Sequence, residues 1–305
     1  AINRVNDHLP AWLRVRGEFR ERIEGVAGAG FTPERDDAYG LSRFRFDVSA
    51  RPAPRLLVAV QAQDARVVGK SVGPTGAPFS GAFDLRMAYA QVGDPQTDRL
   101  TVRAGRQELA FGEQRLVGHV SWLNTARTFD GARATVRRGS VQVDAFAVSL
   151  VRIQPDAFDK SGNGHLFAGA YGAASAWIPR AVVEPYVFWR RDRAITSESG
   201  VGALGVATAG ARWAGRLPAG FDYGVEMAVQ RGSIGADEVA AWAGHWQVRT
   251  LLPGPARVRL LSEYNYASGD AGSTDGRVGT FDQLYPTPHD KYGLADQVGW
   301  KNIHH

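Results

Sequence analysis

The sequence contains no cysteine, and only four of its 36 basic residues are lysines. Without cysteine, a disulfide-stapled secreted domain and a thiolate metal site are both excluded. No stretch reaches the roughly 18 consecutive apolar residues that a transmembrane helix requires. This absence excludes a helical membrane protein. It is compatible with membrane-spanning β-strands, whose apolar residues alternate with polar ones.

The scarcity of lysine leaves 32 arginines, which are spread along the whole chain. Guanidinium groups bind carboxylates and other oxyanions in a fixed, forked geometry, so this preference for arginine indicates ion pairs or anion binding. The sequence pI of about 9.6 raises nucleic acid as an alternative partner. A nucleic-acid site would cluster its basic residues in one patch. We therefore expect no nucleic-acid partner.

Polar and apolar residues alternate with a period of two from end to end. Residues 12–24 place arginines and Glu18 at even positions and apolar residues at odd ones, and residues 43–48 repeat the pattern. This is the period of a β-strand with one apolar face. We predict about thirteen strands, no helix and a single domain over residues 1–305. The predicted strands are 12–24, 43–48, 56–63, 83–91, 100–107, 129–137, 141–149, 166–174, 183–192, 205–213, 221–230, 239–249 and 256–266.

The connections between these strands alternate between short and long. Short turns with Gly or Pro, such as 51–54 and 215–220, separate longer connections, such as 193–204 and 231–238. A transmembrane barrel has tight periplasmic turns at one rim and long loops at the other, whereas a sandwich has no such order. The sequence therefore predicts an all-β, up-and-down antiparallel transmembrane β-barrel in a bacterial outer membrane.

If the apolar face meets lipid, the polar face lines the lumen of the barrel. That face carries fourteen arginines and eight acids in our strand-by-strand assignment, so the predicted channel is basic and favours anions. For any one residue, the alternative role is a cross-strand ion pair that only holds the strands together. The excess of arginine leaves some of these side chains for a solute. The candidate lumen residues are Arg14, Arg16, Arg20, Arg43, Arg45, Arg86, Arg103, Arg133, Arg190, Glu18, Asp47, Asp84, Asp144 and Glu184.

Enzymatic motifs are absent from the sequence. It has no Gly-x-Ser-x-Gly elbow, no His-Glu-x-x-His motif and no phosphate-binding loop. His245 shares the parity of the lumen residues, and we expect it to be a hydrogen-bonded structural residue. Asp270 and Asp275 could ligate Ca²⁺, but a solvated loop is the favoured interpretation. We expect neither a catalytic site nor a cofactor.

Several long segments carry a family resemblance. They are residues 105–118, 122–131, 266–270, 281–287 and 289–303. Together they resemble the alginate export family of bacterial outer-membrane β-barrels over essentially the whole chain. The resemblance implies an 18-stranded monomeric barrel whose arginine-rich lumen passes an anionic polyuronate outward. It also implies that Arg106 is a channel residue, although Arg106 and Arg103 differ in parity, which predicts a bulge or the end of the strand near Gly105.

The family sequence continues beyond the Gly-Trp-Lys-Asn segment at 299–302, so we expect closing C-terminal strands to be missing from residues 1–305. Three functions stay open at this point. The first is export of an anionic polysaccharide such as alginate, and the second is a general or anion-selective diffusion porin without a dedicated substrate. The third is a loop-mediated adhesin or a barrel enzyme. The expected partners are outer-membrane lipid, anionic polysaccharide or small anions, and periplasmic secretion proteins.

Overall fold

The computed structural model describes residues 2–175, 177–272, 274–293 and 298–304, so residues 294–297 of the family segment 289–303 lie outside it. Its regular structure is almost entirely β. A single helical turn, α1 (Ile2–Val5), precedes the strands, and no described helix is both long enough and apolar enough to span a membrane. The strands are β1 (Leu13–Val26), β2 (Asp37–Ala53), β3 (Leu56–Val68), β4 (Gly81–Val92), β5 (Leu100–Gln107), β6 (Phe129–Arg138), β7 (Val141–Arg152), β8 (Lys160–Ser161), β9 (Leu166–Ala174), β10 (Ala181–Ser197), β11 (Gly200–Arg216), β12 (Phe221–Ile234), β13 (Asp237–Leu251), β14 (Arg259–Ala267), β15 (Arg277–Val278) and β16 (Ile303–His304).

All thirteen predicted strands are present, but the described residues form sixteen strands. The three additional strands, β8, β15 and β16, are two-residue pairings in segments predicted as loops. Two predicted long loops, 193–204 and 231–238, are also wrong. They consist mostly of strand because the apolar alternation continues through Ile195 and Ile234, which pack against Leu204 and Val206. A tight turn at Gly235, with φ of 60°, joins β12 to β13.

Strands that follow one another in sequence lie side by side in the sheet. The order is β1 to β7, then β9 to β14 and β16, with β8 beside β7 and β15 beside β13. The ladders among β1–β5 and among β9–β14 are antiparallel, whereas β15 runs parallel to β13. No pairing between β1 and the C-terminal strands is found among the described residues. The all-β, up-and-down antiparallel arrangement is thus confirmed, while barrel closure and the single domain stay predictions.

The first of two compact units comprises Ala1–Ala110, Gly118–Ala132 and Val148–Asn163. One face of its strands is apolar and exposed, as Phe19 (69 % exposed) and Phe44 (41 %) show. The opposite face is polar and buried, with Arg43 only 4 % and Arg45 only 7 % exposed. A soluble sheet buries its apolar face. Exposed apolar and buried polar faces are instead the pattern of strands whose outer face meets lipid.

The second unit comprises Phe111–Val117, Arg133–Ala147 and Gly164–His305. In β10, Val187 and Trp189 are exposed, whereas Tyr186 and Phe188, which alternate with them, are buried. The buried face here is only partly polar, which differs from the expectation. It contains a cluster of seven aromatic rings: Phe111, Phe146, Phe167, Tyr171, Tyr186, Phe188 and Tyr285. Two of these rings come from connections between strands, so the connections fold back onto this face.

Candidate functional site

Four guanidinium groups gather on the buried face of β1, β2 and β4 in the first unit. They belong to Arg20, Arg43, Arg45 and Arg86, which we call the arginine cluster. The antiparallel register sets Arg20 directly opposite Arg43, and Glu18 opposite Arg45. Like charges that face each other across two strands repel, so this arrangement needs carboxylates or hydrogen-bond acceptors to compensate it.

Carboxylates compensate only part of this charge. Glu18 forms an ion pair with Arg43 and lies 4.0 Å from Nη1 of Arg45, and Glu108 pairs with Arg86. Within the part of the chain that the structure describes, no other carboxylate forms an ion pair with the arginine cluster. Four cations therefore share two anionic partners.

Carbonyl groups of the segment 119–127 supply further acceptors. Arg43 Nη1 donates to the carbonyl oxygens of Ser121 at 3.0 Å and Leu123 at 3.1 Å. Arg20 Nη2 donates to the carbonyl oxygen of Trp122 at 3.0 Å. These contacts hold the segment 119–127 over the arginines, so the segment folds onto the buried face of the strands.

Asn124 fixes this segment from its other side. Its side chain is 1 % exposed, and its Nδ2 lies 2.9, 3.1 and 2.9 Å from the carbonyl oxygens of Ser42, Arg66 and Phe79. An amide NH₂ carries two hydrogens, so three carbonyl oxygens more than satisfy it. Asn124 is thus the central anchor of the segment, a role that the sequence analysis missed.

Several predicted lumen arginines have guanidinium nitrogens without a hydrogen-bond partner among the described residues, including the buried Nε of Arg86. Arg45 Nε donates to Gln63 Oε1 at 2.7 Å, but its Nη2 is buried and has no hydrogen-bond partner among the described residues. Arg16 is exposed and, in the same part of the chain, forms neither an ion pair nor a side-chain hydrogen bond. It stands opposite Asp47, which accepts a 2.6 Å hydrogen bond from Gln61. Arg16, whose side chain is exposed, is therefore better placed to receive an added anion than Arg45, whose unused nitrogen is buried.

Other predicted residues of the first unit bind neutral groups. Arg14 is exposed and donates to the carbonyl oxygen of Leu13 at 2.7 Å. Arg103 Nη2 donates to Gln91 Oε1 at 2.6 Å, across the strand pair. Asp84 Oδ2 accepts a hydrogen bond from the backbone N–H of Asp159 at 2.5 Å. Each of these side chains forms at least one hydrogen bond to a neutral group.

Arg106 belongs to a separate ion pair, in which its Nε lies 2.8 Å from Oδ1 of Asp130. The β4–β5 ladder contains no register shift, and its pairing ends at Arg106, one residue after Gly105. The strand ends at Gln107, two residues beyond Gly105 and so near the predicted position, and the backbone at Gly105 has an irregular φ of 120°.

Predicted residues of the second unit form ion pairs across strands or to connections. Arg133 and Asp144 lie 2.9 Å apart, and Arg190 contacts Asp192 at 2.9 Å and Asp282 at 2.6 Å. The Arg133–Asp144 contact joins β6 to β7 and matches the alternative role of cross-strand pairing, whereas Arg190 pairs within β10 and with the connection after β14. These contacts leave the two arginines less available to a solute than Arg16.

A second cluster, which we call the Glu113 cluster, joins the connection between β5 and β6 to β11 and β13. Arg212 forms ion pairs with Glu113 at 2.7 Å and with Glu184. Burial alone would raise the pKa of Glu113. The hydrogen bond from Arg212 and the charges of Arg212 and Arg115 outweigh it, so the pKa of Glu113 lies below its usual range.

His245 takes part in this cluster as a structural residue. Its Nε2 accepts from Arg115 Nη2 at 2.9 Å, and its Nδ1 donates to Asn265 Oδ1 at 2.8 Å. Arg115 also contacts Glu263 at 3.3 Å. The expectation that His245 is hydrogen-bonded is confirmed.

The sequence analysis missed the charged residues that the connections contribute. Glu108, Glu113, Arg115 and Asp282 all contact strand residues on the buried faces. Strand parity cannot assign a residue outside a strand. A signal was nevertheless present, because all four lie within the family segments 105–118 and 281–287.

Three carboxylates lie together near the loop for which calcium was considered. Ligand oxygens of Glu198, Asp270 and Asp275 are within 4.8 Å of one another. Burial and the charges of the two aspartates raise the pKa of Glu198, while backbone N–H groups, first that of Gly279, lower the pKa of Asp270. Glu198 lies in the turn between β10 and β11, about 70 residues before Asp270. The sequence of the Asp270 loop alone therefore did not indicate that Glu198 joins this group.

Comparison with known proteins decides the family. The Alginate export family model matches residues 11–305. The chain belongs to the alginate export family. Membership places it in the bacterial outer membrane as a pore, which confirms the predicted location and class. No curated protein matches the chain.

Several solved outer-membrane proteins are similar to this alginate export family member. OmpF of Salmonella typhi, in complex with daunomycin, is 9 % identical with a TM-score of 0.40, covering 88 % of this chain and 94 % of its own. OpdK of Pseudomonas aeruginosa with vanillate is 12 % identical with a TM-score of 0.45, covering 88 % and 84 %. OccAB4 of Acinetobacter baumannii is 10 % identical with a TM-score of 0.43, covering 84 % and 82 %. Because these superpositions are loose, the assignment depends on the family match.

Proposed function

We propose that this chain carries an anionic polysaccharide such as alginate outward across the outer membrane, along the face that bears the arginine cluster. The supporting observation is the charge imbalance there, where four guanidinium groups share two carboxylates. A polyuronate presents carboxylates along its length, and arginine binds carboxylates through paired hydrogen bonds. A passing carboxylate would bind the exposed guanidinium group of Arg16, which has no competing partner among the described residues.

The arginines have different parts in this proposal. Arg43 and Arg20 mainly hold the segment 119–127, since their donors are used by its carbonyl groups. Arg16 is exposed and binds the solute directly, whereas Arg45 is buried and acts on the solute through its charge. Low-dielectric surroundings focus the field of such groups and raise the local concentration of anions.

Paired arginines such as Arg133 and Arg190 serve transport in another way. Their acids keep the local charge near balance, so a polyanion binds them weakly. Conduction requires binding that is strong enough to admit a solute and weak enough to release it. Arginines of both kinds, such as Arg16 without a partner among the described residues and Arg133 with one, would meet the two requirements.

The test is single-channel recording of the protein in a planar bilayer under a salt gradient. We expect an anion-selective reversal potential and block of the current by polyuronate. The variant Arg16→Gln/Arg45→Gln should lose most of both. The matched control is Arg216→Gln/Arg249→Gln, which removes two exposed arginines that pair with Asp222.

Other results would select another function. Weak selectivity without polyuronate block would indicate a general diffusion porin. An absence of conductance from folded protein would favour a function of the connections, such as adhesion or catalysis. Equal loss of selectivity in the control variant would remove the special role of Arg16 and Arg45.

A further inference from the structure

The exposed apolar faces of β10 and β12 each end in an arginine. In β10, Val187 and Trp189 are 51 % and 43 % exposed, and the next residue on that face is Arg191. In β12, Val229 is 48 % exposed, and the next residue on that face is Arg231. In the outer membrane, the apolar part of this face meets lipid. A cation at the end of the apolar stripe therefore marks the level of the lipid headgroups.

The sheet register brings these two arginines close together. Arg191 stands opposite Gly205 of β11, and Arg231 stands opposite Ala207 of the same strand. The two Cα atoms are therefore about 12 Å apart, from the spacing of strands and of residues along them. Two arginine side chains can converge on one phosphate group across that distance. Gly205 and Ala207 leave the surface between them low, because neither has a side chain larger than a methyl group.

Neither guanidinium group has a carboxylate partner among the residues that the structure describes. Across the described ranges, neither Arg191 nor Arg231 forms an ion pair, and Arg231 uses only Nη1, which donates to the carbonyl oxygen of Gln230 at 2.7 Å. Glu238 is on the same face in β13, opposite Ser233 and two residues beyond the partner of Arg231. Unpaired arginines on a lipid-facing surface are costly unless they lie at the headgroup level, where lipid phosphates neutralise them.

The position along the strands indicates the leaflet. The long connection after β14 leaves the sheet at Ala267. Within this connection, Arg277 of β15 is the register partner of Glu238, which lies at the end of β13 nearest Arg231. In transmembrane barrels, long connections lie on the extracellular side. The Arg191–Arg231 pair therefore faces the outer leaflet.

We propose that Arg191 and Arg231 form a binding site for the phosphate group of a phosphorylated glycolipid in the outer leaflet. The guanidinium groups bind the phosphate, and the low surface at Gly205 and Ala207 accommodates the sugar to which it is attached. The acyl chains then lie along Val187, Trp189 and Val229. Arginine suits this role because its planar fork matches phosphate oxygens.

The test is native mass spectrometry of the full chain in nonionic detergent, with diphosphorylated lipid A, its dephosphorylated counterpart and phosphatidylglycerol as probes. We expect wild-type protein to retain diphosphorylated lipid A in preference to both others. Arg191→Gln/Arg231→Gln should bind it at least about tenfold more weakly, since each guanidinium–phosphate contact is worth about a tenfold change. Heat-shifted electrophoresis verifies that the variant is folded.

The matched control is Arg249→Gln/Arg259→Gln, which removes two exposed arginines. Both lie at the rim where β13 ends and β14 begins, at the other end of the strands from Arg231. This control should retain lipid A as the wild type does. Equal retention of the dephosphorylated lipid would overturn the proposal, as would a preference for phosphatidylglycerol. The same conclusion would follow if both double variants lost lipid A to the same extent, or if neither did.

Discussion

The Nη2 atom of Arg212, in β11, lies 2.7 Å from Oε1 of Glu113, in the connection between β5 and β6. Gln247 Nε2 donates to the same oxygen at 3.2 Å. A single carboxylate of a connection is thus bound by side chains of two strands, β11 and β13. The connection is held against the buried face by polar contacts as well as by the packing of Phe111 on Tyr171, whose ring centroids are 4.8 Å apart.

We expect Arg212→Gln to destabilise the protein by about 1.5–3 kcal/mol, because it leaves two partly buried carboxylates without their charged donor. The connection should also become accessible, so trypsin should cleave after Arg115 faster than in the wild type. Arg216→Gln is the control. Its side chain is 76 % exposed and pairs with Asp222, so it should change stability by less than about 1 kcal/mol. Unchanged proteolysis of Arg212→Gln would show that aromatic packing alone holds the connection.

The contact between Arg212 and Glu113 should weaken in acid. The pKa of Glu113 is depressed in the folded protein, so its contribution to stability is complete above the unfolded value of about 4.3 and is lost as pH falls through the lower folded value. Many other carboxylates titrate in this range, so the useful quantity is the difference in unfolding free energy between wild type and Arg212→Gln. That difference should be constant from about pH 5 to about pH 8, where Glu113 is ionised in the folded and the unfolded protein. It should become smaller below about pH 4. If the difference stayed constant down to about pH 3, the stabilising effect of Arg212 would not depend on ionised Glu113.

Arg43 and Arg16 should separate stability from selectivity. Arg43→Gln removes the ion pair with Glu18 and two contacts to carbonyl groups of the segment 119–127, so it should cost about 1–3 kcal/mol. Arg16→Gln should cost less than about 0.5 kcal/mol, since Arg16 is exposed, yet it should reduce the anion-selective reversal potential. Chemical unfolding and bilayer recording of both variants give the two measurements. Equal effects of both variants on stability would refute the division of roles.

Asn124→Asp should release the segment 119–127 more completely than Asn124→Ala. The aspartate would direct carboxylate oxygens at the carbonyl oxygens of Ser42, Arg66 and Phe79, where the native amide donates. Alanine only removes the donor, at a cost of about 1–3 kcal/mol for the unsatisfied acceptors. Hydrogen exchange of residues 119–127 provides the measurement. If alanine and aspartate gave the same exchange, Asn124 would be a packing residue only.

Gly105→Ala should disrupt the pairing of β4 with β5. The backbone at Gly105 has φ of 120°, and an added Cβ would lie 2.2 Å from the carbonyl oxygen of Ala88. We expect a loss of about 1–3 kcal/mol from strained backbone and displaced neighbours. Gly25→Ala is the control, because a Cβ there meets nothing within 4 Å. Thermal unfolding of both variants is the readout, and an undisturbed Gly105→Ala protein would contradict the geometry.

The period-two pattern predicted the strands well because each strand has one face in lipid. Phe44 and Phe46 are exposed while Arg43 and Arg45 are buried, which is the alternation that the sequence displays. The prediction was weaker where both faces are apolar. Tyr186 to Trp189 contains four consecutive apolar or aromatic residues, so nothing in the pattern indicated that two of them would join an aromatic cluster.

The partners of the arginines could not be predicted from the strands alone. Arg43 is satisfied by backbone carbonyl groups from a segment about 80 residues away, and Arg86 by Glu108 at the end of β5. Such contacts depend on how a connection folds back, which has no periodicity. The candidate residues were thus identified by type and face, but their division into occupied and available donors required the structure.

The carbonyl contacts of Arg43 have a consequence for anyone who wishes to re-engineer this protein. The same side chain supplies positive charge and ties down the segment 119–127. A substitution at Arg43 therefore changes both the charge on the buried face and the position of the segment 119–127, and neither can be changed alone from that position. To change them independently, one would substitute Arg16 to alter the charge and Asn124 to alter the position of the segment.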